Sequence, residues 1–211
     1  SYSQNPEVVY QFGISMIDAM LDAGVLPVAK HFPGSGNGDP HIGLPVFGFD
    51  PGRENETAVQ AFRTAIQNHN LPALMSSHVL VPAIDPENPA TVSSKIIGQL
   101  LREQMGFTGL LVTDDVYMQG LQDFCSPQEA AVLALSAGAD MILAMGAHPQ
   151  SIRDSIVTAV QNGTLSRSRL EEAAIHIISW KLRIIPGWSA RNENSKTRKK
   201  FSKIDICRNL Y

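Results

Sequence analysis

Residues 94–115, SKIIGQLLREQMGFTGLLVTDD, decide the fold. A helix, SKIIGQLLREQMG, runs into a short and almost wholly apolar strand, GLLVTDD, that ends on two carboxylates. The same unit recurs along the chain. Asn5 followed by Pro6 is a helix start, and Val8, Val9, Phe12, Met16, Ile17, Met20 and Leu21 keep helical spacing until Gly24. The strand VLPVAKHF follows, then the helix ENETAVQAFRTAIQNHN and the strand LPALMSSHVLVP. After residue 115, Ser126-Pro127-Gln128-Glu129 is a capping-box start for a helix ending near Gly138, and ADMILAM is the next strand. Two more helices, over residues 149–161 and about 166–183, complete the pattern.

Apolar strands alternating with helices predict an α/β fold with a parallel sheet covered by helices. Four strands are visible. In such folds ligands meet the C-terminal strand ends, and those ends carry the polar residues: Lys30 and His31, His78, and Asp114 with Asp115.

Composition agrees with one ordinary globular domain: 211 residues, 44% hydrophobic, mean hydropathy −0.04 and formal charge −3. The charge is uneven. Residues 186–211 hold seven Lys/Arg against two Asp/Glu, and the rest holds ten against eighteen. A basic end of this kind reads as a solvated tail and not as a nucleic-acid arm. No run of about 18 apolar residues exists to span a membrane. No charged-then-apolar signal segment opens the chain, which leaves the compartment undecided between cytoplasmic and secreted. Cys125 and Cys207 lie far apart and support neither a disulfide framework nor a zinc site.

Residues 28–45, VAKHFPGSGNGDPHIGLP, carry the densest chemistry. A phosphate cradle would need a helix immediately after the glycines, and Pro40, Gly43 and Pro45 prevent one. A metal site could draw on His31, Asp39, His41, His78 and Asp114, but none has the tight spacing of a metal motif. A mobile catalytic loop is the third reading.

The motifs decide among these. KHFPG-x-G with D-x-H-x-G-L-P, then LPALMSSHVLVPAID, NPATVSSKIIGQLLREQMGF and LLVTDD, in this order, resemble the bacterial β-N-acetylglucosaminidases of glycoside hydrolase family 3. The resemblance runs from Ser1 to about Arg183. It implies a (β/α)8 TIM-barrel hydrolase that releases terminal β-linked N-acetylglucosamine from cell-wall or chitin-derived glycosides with retention, through a covalent glycosyl-enzyme. It calls for no cofactor and no metal, and for a carbohydrate as partner.

By the same resemblance Asp114 is the nucleophile and Asp115 its neighbour. An oxocarbenium-like transition state needs a carboxylate beneath the anomeric carbon. His41, on a flexible loop, is the general acid/base, and Asp39 is its partner. A free imidazole, with a pKa near 6.5, suits proton donation near neutrality. Gly34, Gly36 and Gly38 then read as hinges. Lys30 and His31 match the pair that hydrogen-bonds the sugar hydroxyls, and the apolar strand around Lys30 predicts that it is shielded from solvent. His78 matches a substrate-side histidine at the next strand end.

The chain also departs from the family. Ser35 replaces a histidine, the loop to His41 is two residues shorter, Pro40 replaces a serine, and Tyr117 occupies the place of a small residue. Shortening and a proline both stiffen the loop. Only 29 residues precede Lys30, so about four βα units are expected: the C-terminal half of the barrel over residues 1–185, then a tail over 186–211 that reads as disordered or frameshifted. The family's sugar-binding arginine would fall one residue before Ser1. Two open sheet edges would favour self-association. The alternatives are an inactive or sugar-binding remnant, and a β-glucosidase or glycosyl phosphorylase on the same scaffold.

Overall fold

Helix α1 (Pro6–Asp22) starts where the sequence predicts. Asn5 caps it, accepting from the Glu7 amide at 2.9 Å, and Pro6 takes the first helical position, where a missing N–H costs nothing. The computed structural model describes residues 3–48, 57–146 and 149–184, and the tail expected over 186–211 lies outside them.

Four parallel strands form the main sheet in the order β1 (Ala29–Phe32), β2 (Ala73–Ser76), β5 (Leu110–Asp115), β6 (Met141–Leu143). Spatial order follows chain order, as in a barrel wall built from successive βα units. Among the described residues β1 pairs only with β2, and β6 only with β5. The strands are shorter than the apolar runs that announced them.

The connecting helices are α2 (Thr57–His69), a π-helix (Ser94–Gln104) and α4 (Pro127–Ala137), with α5 (Pro149–Gln161) and α6 (Arg167–Ile184) after β6. The π-helix is the helix predicted from SKIIGQLLREQMG, wound more loosely: the Met105 amide reaches back five residues to Leu100 O at 2.9 Å. Ser93 caps it, accepting from Ile96 N at 3.2 Å. The capping box at Ser126 is also formed, its hydroxyl accepting from Glu129 N at 3.2 Å. Leu74 and Leu111 of the sheet are fully buried with Ile96, Ile97 and Leu101 of the π-helix. Small residues on α4, Ala130, Ala131 and Ala134, allow close approach to that layer.

Three elements differ from the sequence reading. LPALMSSHVLVP is not one strand: β2 stops at Ser76, and Leu80 and Val81 form β3 (Leu80–Val81), antiparallel to β4 (Asp85–Pro89). Leu80 N donates to Pro45 O and Phe47 N donates to Leu80 O, so partners outside the main sheet take this segment. The strand β4 carries no strand signal in the sequence, because two of its five residues are proline, which a sheet accommodates at edges, strand starts and bulges. The one-turn helix α3 (Gln119–Gln122) is too short to show a helical period in the sequence.

At the other end of the sheet a buried carboxylate ties the units together. Asp140 Oδ2 accepts from Arg102 Nη2 at 2.7 Å and Leu111 N at 2.9 Å, and Oδ1 accepts from Arg169 Nη2 at 2.8 Å with His176 Nδ1 at 3.0 Å. This joins the π-helix, β5, β6 and α6. Asp140→Ala would take the shared buried anion from two partly buried guanidinium groups, leaving Arg102 without its carboxylate and Arg169 with Glu172 alone, and it is expected to cost about 3–5 kcal/mol. Urea unfolding measures this directly; a loss below about 1 kcal/mol would show that the network does not hold the fold.

Candidate active site

The chemistry gathers where β1 and β5 end. His31 and Asp114 are separated by β2 in the sheet, yet His31 Nε2 lies 3.3 Å from Asp114 Oδ2. Strand alternation gives the neighbouring carboxylates different surroundings. Among the described residues, Asp114 Oδ1 accepts from the amide of Asp115 at 2.9 Å, and Oδ2 faces His31. Asp115 is consumed by structure: its Oδ1 accepts from Tyr117 N at 3.2 Å and from Met145 N at 3.0 Å, tying the segment after β5 to the one after β6. The two neighbouring carboxylates therefore differ in their partners: Asp114 faces His31, and one oxygen of Asp115 holds two backbone amides.

The hydrogen bond from His31 is the main force holding the Asp114 carboxyl below the usual aspartate value, against the opposing effect of partial burial. A depressed carboxyl stabilises the fold fully above about pH 4, and that contribution is lost as pH falls through its folded value. Across neutral pH Asp114 is ionised. Carbon-13 NMR of this carboxyl is expected to give a midpoint below that of an unfolded aspartate, and a raised midpoint would contradict the geometry.

His78 departs from its expected place on the substrate side. It is 1% exposed, with Nδ1 2.9 Å from Thr91 Oγ1 and Nε2 2.9 Å from Asp115 O. A carbonyl only accepts, so Nε2 carries a proton. Burial pushes the His78 pKa below the ordinary imidazole value and keeps the ring neutral. Both nitrogens are engaged inside the protein, and through Nε2 the ring braces the backbone beside Asp114. Lys30 also corrects a reading. It is exposed, so its apolar strand does not shield it.

Asp39 and His41 are brought together on the loop after β1. Asp39 Oδ1 accepts from His41 N at 2.9 Å and meets His41 Nδ1 at 2.7 Å. The amide and then the ring of His41 lower the Asp39 carboxyl below its usual value. The His41 side chain is 75% exposed, and with Nδ1 held by Asp39 its Nε2 is the nitrogen that can exchange a proton with a ligand.

The hinge reading of the glycines is corrected at two of the three. Gly36 has φ +66°, and a Cβ there would sit 2.8 Å from Val46 O; one at Gly34 would sit 2.9 Å from the Phe47 ring. The loop presses on residues 46–47 at these points and Asn37 N donates to Val46 O, so these glycines make room for contact. Tyr117, the bulky departure, is accommodated by another glycine: a Cβ at Gly146 would lie 2.5 Å from its ring. Of the five candidate metal ligands only the pairs His31–Asp114 and Asp39–His41 come together, and among the described residues no group of three or more such side chains could hold a metal ion.

Comparison with known proteins gives a consistent result. The sequence pattern described as "Glycosyl hydrolase family 3 N terminal domain" matches residues 1–180. Beta-hexosaminidase A of Pseudoalteromonas piscicida is 36% identical over 156 residues, which is 68% of this chain and 26% of that protein. The family 3 β-N-acetylglucosaminidase of Paenibacillus sp. str. FPU-7 superposes with TM-score 0.80 at 33% identity, over 85% of this chain and 38% of that one. The β-N-acetylglucosaminidase of Thermotoga maritima does so with TM-score 0.78 at 28% identity, over 85% and 40%. The chain spans between about a quarter and a half of the length of the curated relatives it matches.

Proposed function

The chain belongs to glycosyl hydrolase family 3, and from that premise we propose that it carries the nucleophile and the acid/base of a retaining glycosidase that releases terminal β-linked N-acetylglucosamine. The observation that carries this reading is Asp114: ionised, faced by His31, and distinguished from Asp115 by what each carboxylate binds.

In this mechanism Asp114 attacks the anomeric carbon as the glycosidic bond breaks, and His41 Nε2–H protonates the departing oxygen. Asp39 stabilises the imidazolium and fixes the ring through Nδ1. The neutral His41 then takes a proton from water, which attacks the glycosyl-enzyme and frees Asp114. Lys30 and His31 hold the sugar hydroxyls, and His78 holds the Asp115 carbonyl, so that the nucleophile segment stays in place.

The reading is tested with aryl N-acetylglucosaminide and aryl glucoside substrates, each with and without inorganic phosphate. Turnover of the N-acetyl substrate without phosphate dependence supports it. Preference for the glucoside, or a sugar phosphate as product, would replace it with the sibling activities, and sugar binding without turnover would make the chain a binding module. Self-association through β1 and β6 belongs to the same proposal: among the described residues each of these strands has a partner on one side only, and Val28 and Met141 beside them are exposed. Light scattering is expected to show a dimer or larger species, and a monodisperse monomer would remove that part.

A further inference from the structure

We infer that Gly120 is the positioning residue for the Asp39–His41 pair, holding the loop that carries it against the segment that follows Asp114. This rests on the proposed role of His41. The supporting geometry concerns one peptide unit, the one joining Pro40 to His41. Its carbonyl accepts from Gly120 N at 2.9 Å, and its N–H donates to Asp39 Oδ1 at 2.9 Å. It is therefore clamped at both ends. The same Asp39 oxygen meets His41 Nδ1 at 2.7 Å, and the Asp39 carbonyl accepts from Ile42 N at 3.0 Å and Gly43 N at 3.2 Å, so the turn is closed on itself around the pair. The hydrogen bond from Gly120 fixes this turn relative to the strand ends.

Gly120 suits the task for two reasons. Its N–H lies in the first turn of α3, where no helical carbonyl is available to it, and the loop carbonyl supplies the missing partner. The approach is also too close for any other residue. A Cβ at position 120 would stand 2.5 Å from Gly43 O, 2.9 Å from Gly43 C and 3.1 Å from Pro40 O, all of them backbone atoms that cannot swing aside. A methyl group here must lift the loop or break the 2.9 Å bond.

The helix itself is anchored to the nucleophile segment. Met118 N donates to Asp115 O, which also receives His78 Nε2, and Leu121 N donates to Met118 O. A continuous set of backbone hydrogen bonds thus runs from the residue beside Asp114 to the loop bearing His41. Exposed as they are, Asp39 and His41 have little packing of their own to locate them, so this bond is what sets where the imidazole stands when a glycoside is bound.

The test compares Gly120→Ala with the parent 211-residue chain. Hydrogen exchange at the amides of His41, Ile42 and Gly43 is expected to accelerate at least tenfold, while exchange at residues 114–116 stays at the parent rate. In kinetics, turnover of glycosides with poor leaving groups should fall at least tenfold, whereas a dinitrophenyl glycoside should be nearly unaffected. Unchanged exchange over residues 39–43 overturns the inference, whatever happens to the melting temperature. Accelerated exchange with equal losses on both substrate types overturns it too, since the loop would then move without consequence for proton transfer. His41→Ala is the parallel measurement: if it shows no leaving-group dependence, the role of His41 fails, and the exchange result still decides whether Gly120 holds the loop.

Discussion

Asp114→Asn should lower glycoside turnover by about 10⁴-fold or more, equivalent to about 5.5 kcal/mol of transition-state stabilisation. An amide cannot form the glycosyl ester, and it withdraws the negative charge from beneath the developing oxocarbenium ion. The side chain is nearly isosteric, so the fold should be kept. The comparison that gives this result its force is Asp115→Asn. The amide oxygen of asparagine can still accept from Tyr117 N and Met145 N, so the loss there should stay within about tenfold. Mass spectrometry after trapping with a fluorinated sugar reads the assignment out: the label should sit on Asp114. A label on a peptide lacking residue 114, or equal losses in the two variants, would sink it.

His41→Ala should be nearly silent on an activated aryl glycoside and severe on a natural sugar leaving group, where general acid catalysis is worth about 10²–10⁴-fold. A nitrophenolate departs unaided, whereas a sugar alkoxide must be protonated as it leaves. The steady-state ratio of the two substrates, parent against variant, isolates that protonation step. Asp39→Asn should move in the same direction by a smaller factor, because an amide oxygen still orients the ring through Nδ1 but no longer stabilises the imidazolium. Equal losses on both substrates would place His41 in the structure of the loop and not in proton transfer.

Much of this molecule was legible in one dimension. The alternation of apolar strands with capped helices determines a parallel sheet, because such strands must be covered on both faces, and Asn5 and Ser126 start their helices through side-chain oxygens that act within three residues. The motif order pointed to the family, and the resemblance implied the pairing of Asp39 with His41, which a tight loop of two-residue spacing forms. Tertiary structure decided the rest. That Asp115 ties two segments together depends on an amide 30 residues away on the next unit, that of Met145. His78 reads as a strand-end ligand in sequence, but it turns inward because Thr91 and the Asp115 carbonyl satisfy both its nitrogens. The glycines of the loop looked like swivels. At Gly34 and Gly36 the reason, the ring of Phe47 and the backbone of Val46 pressing on them, exists only once the chain has closed on itself, since steric room is a property of neighbours that local sequence does not contain.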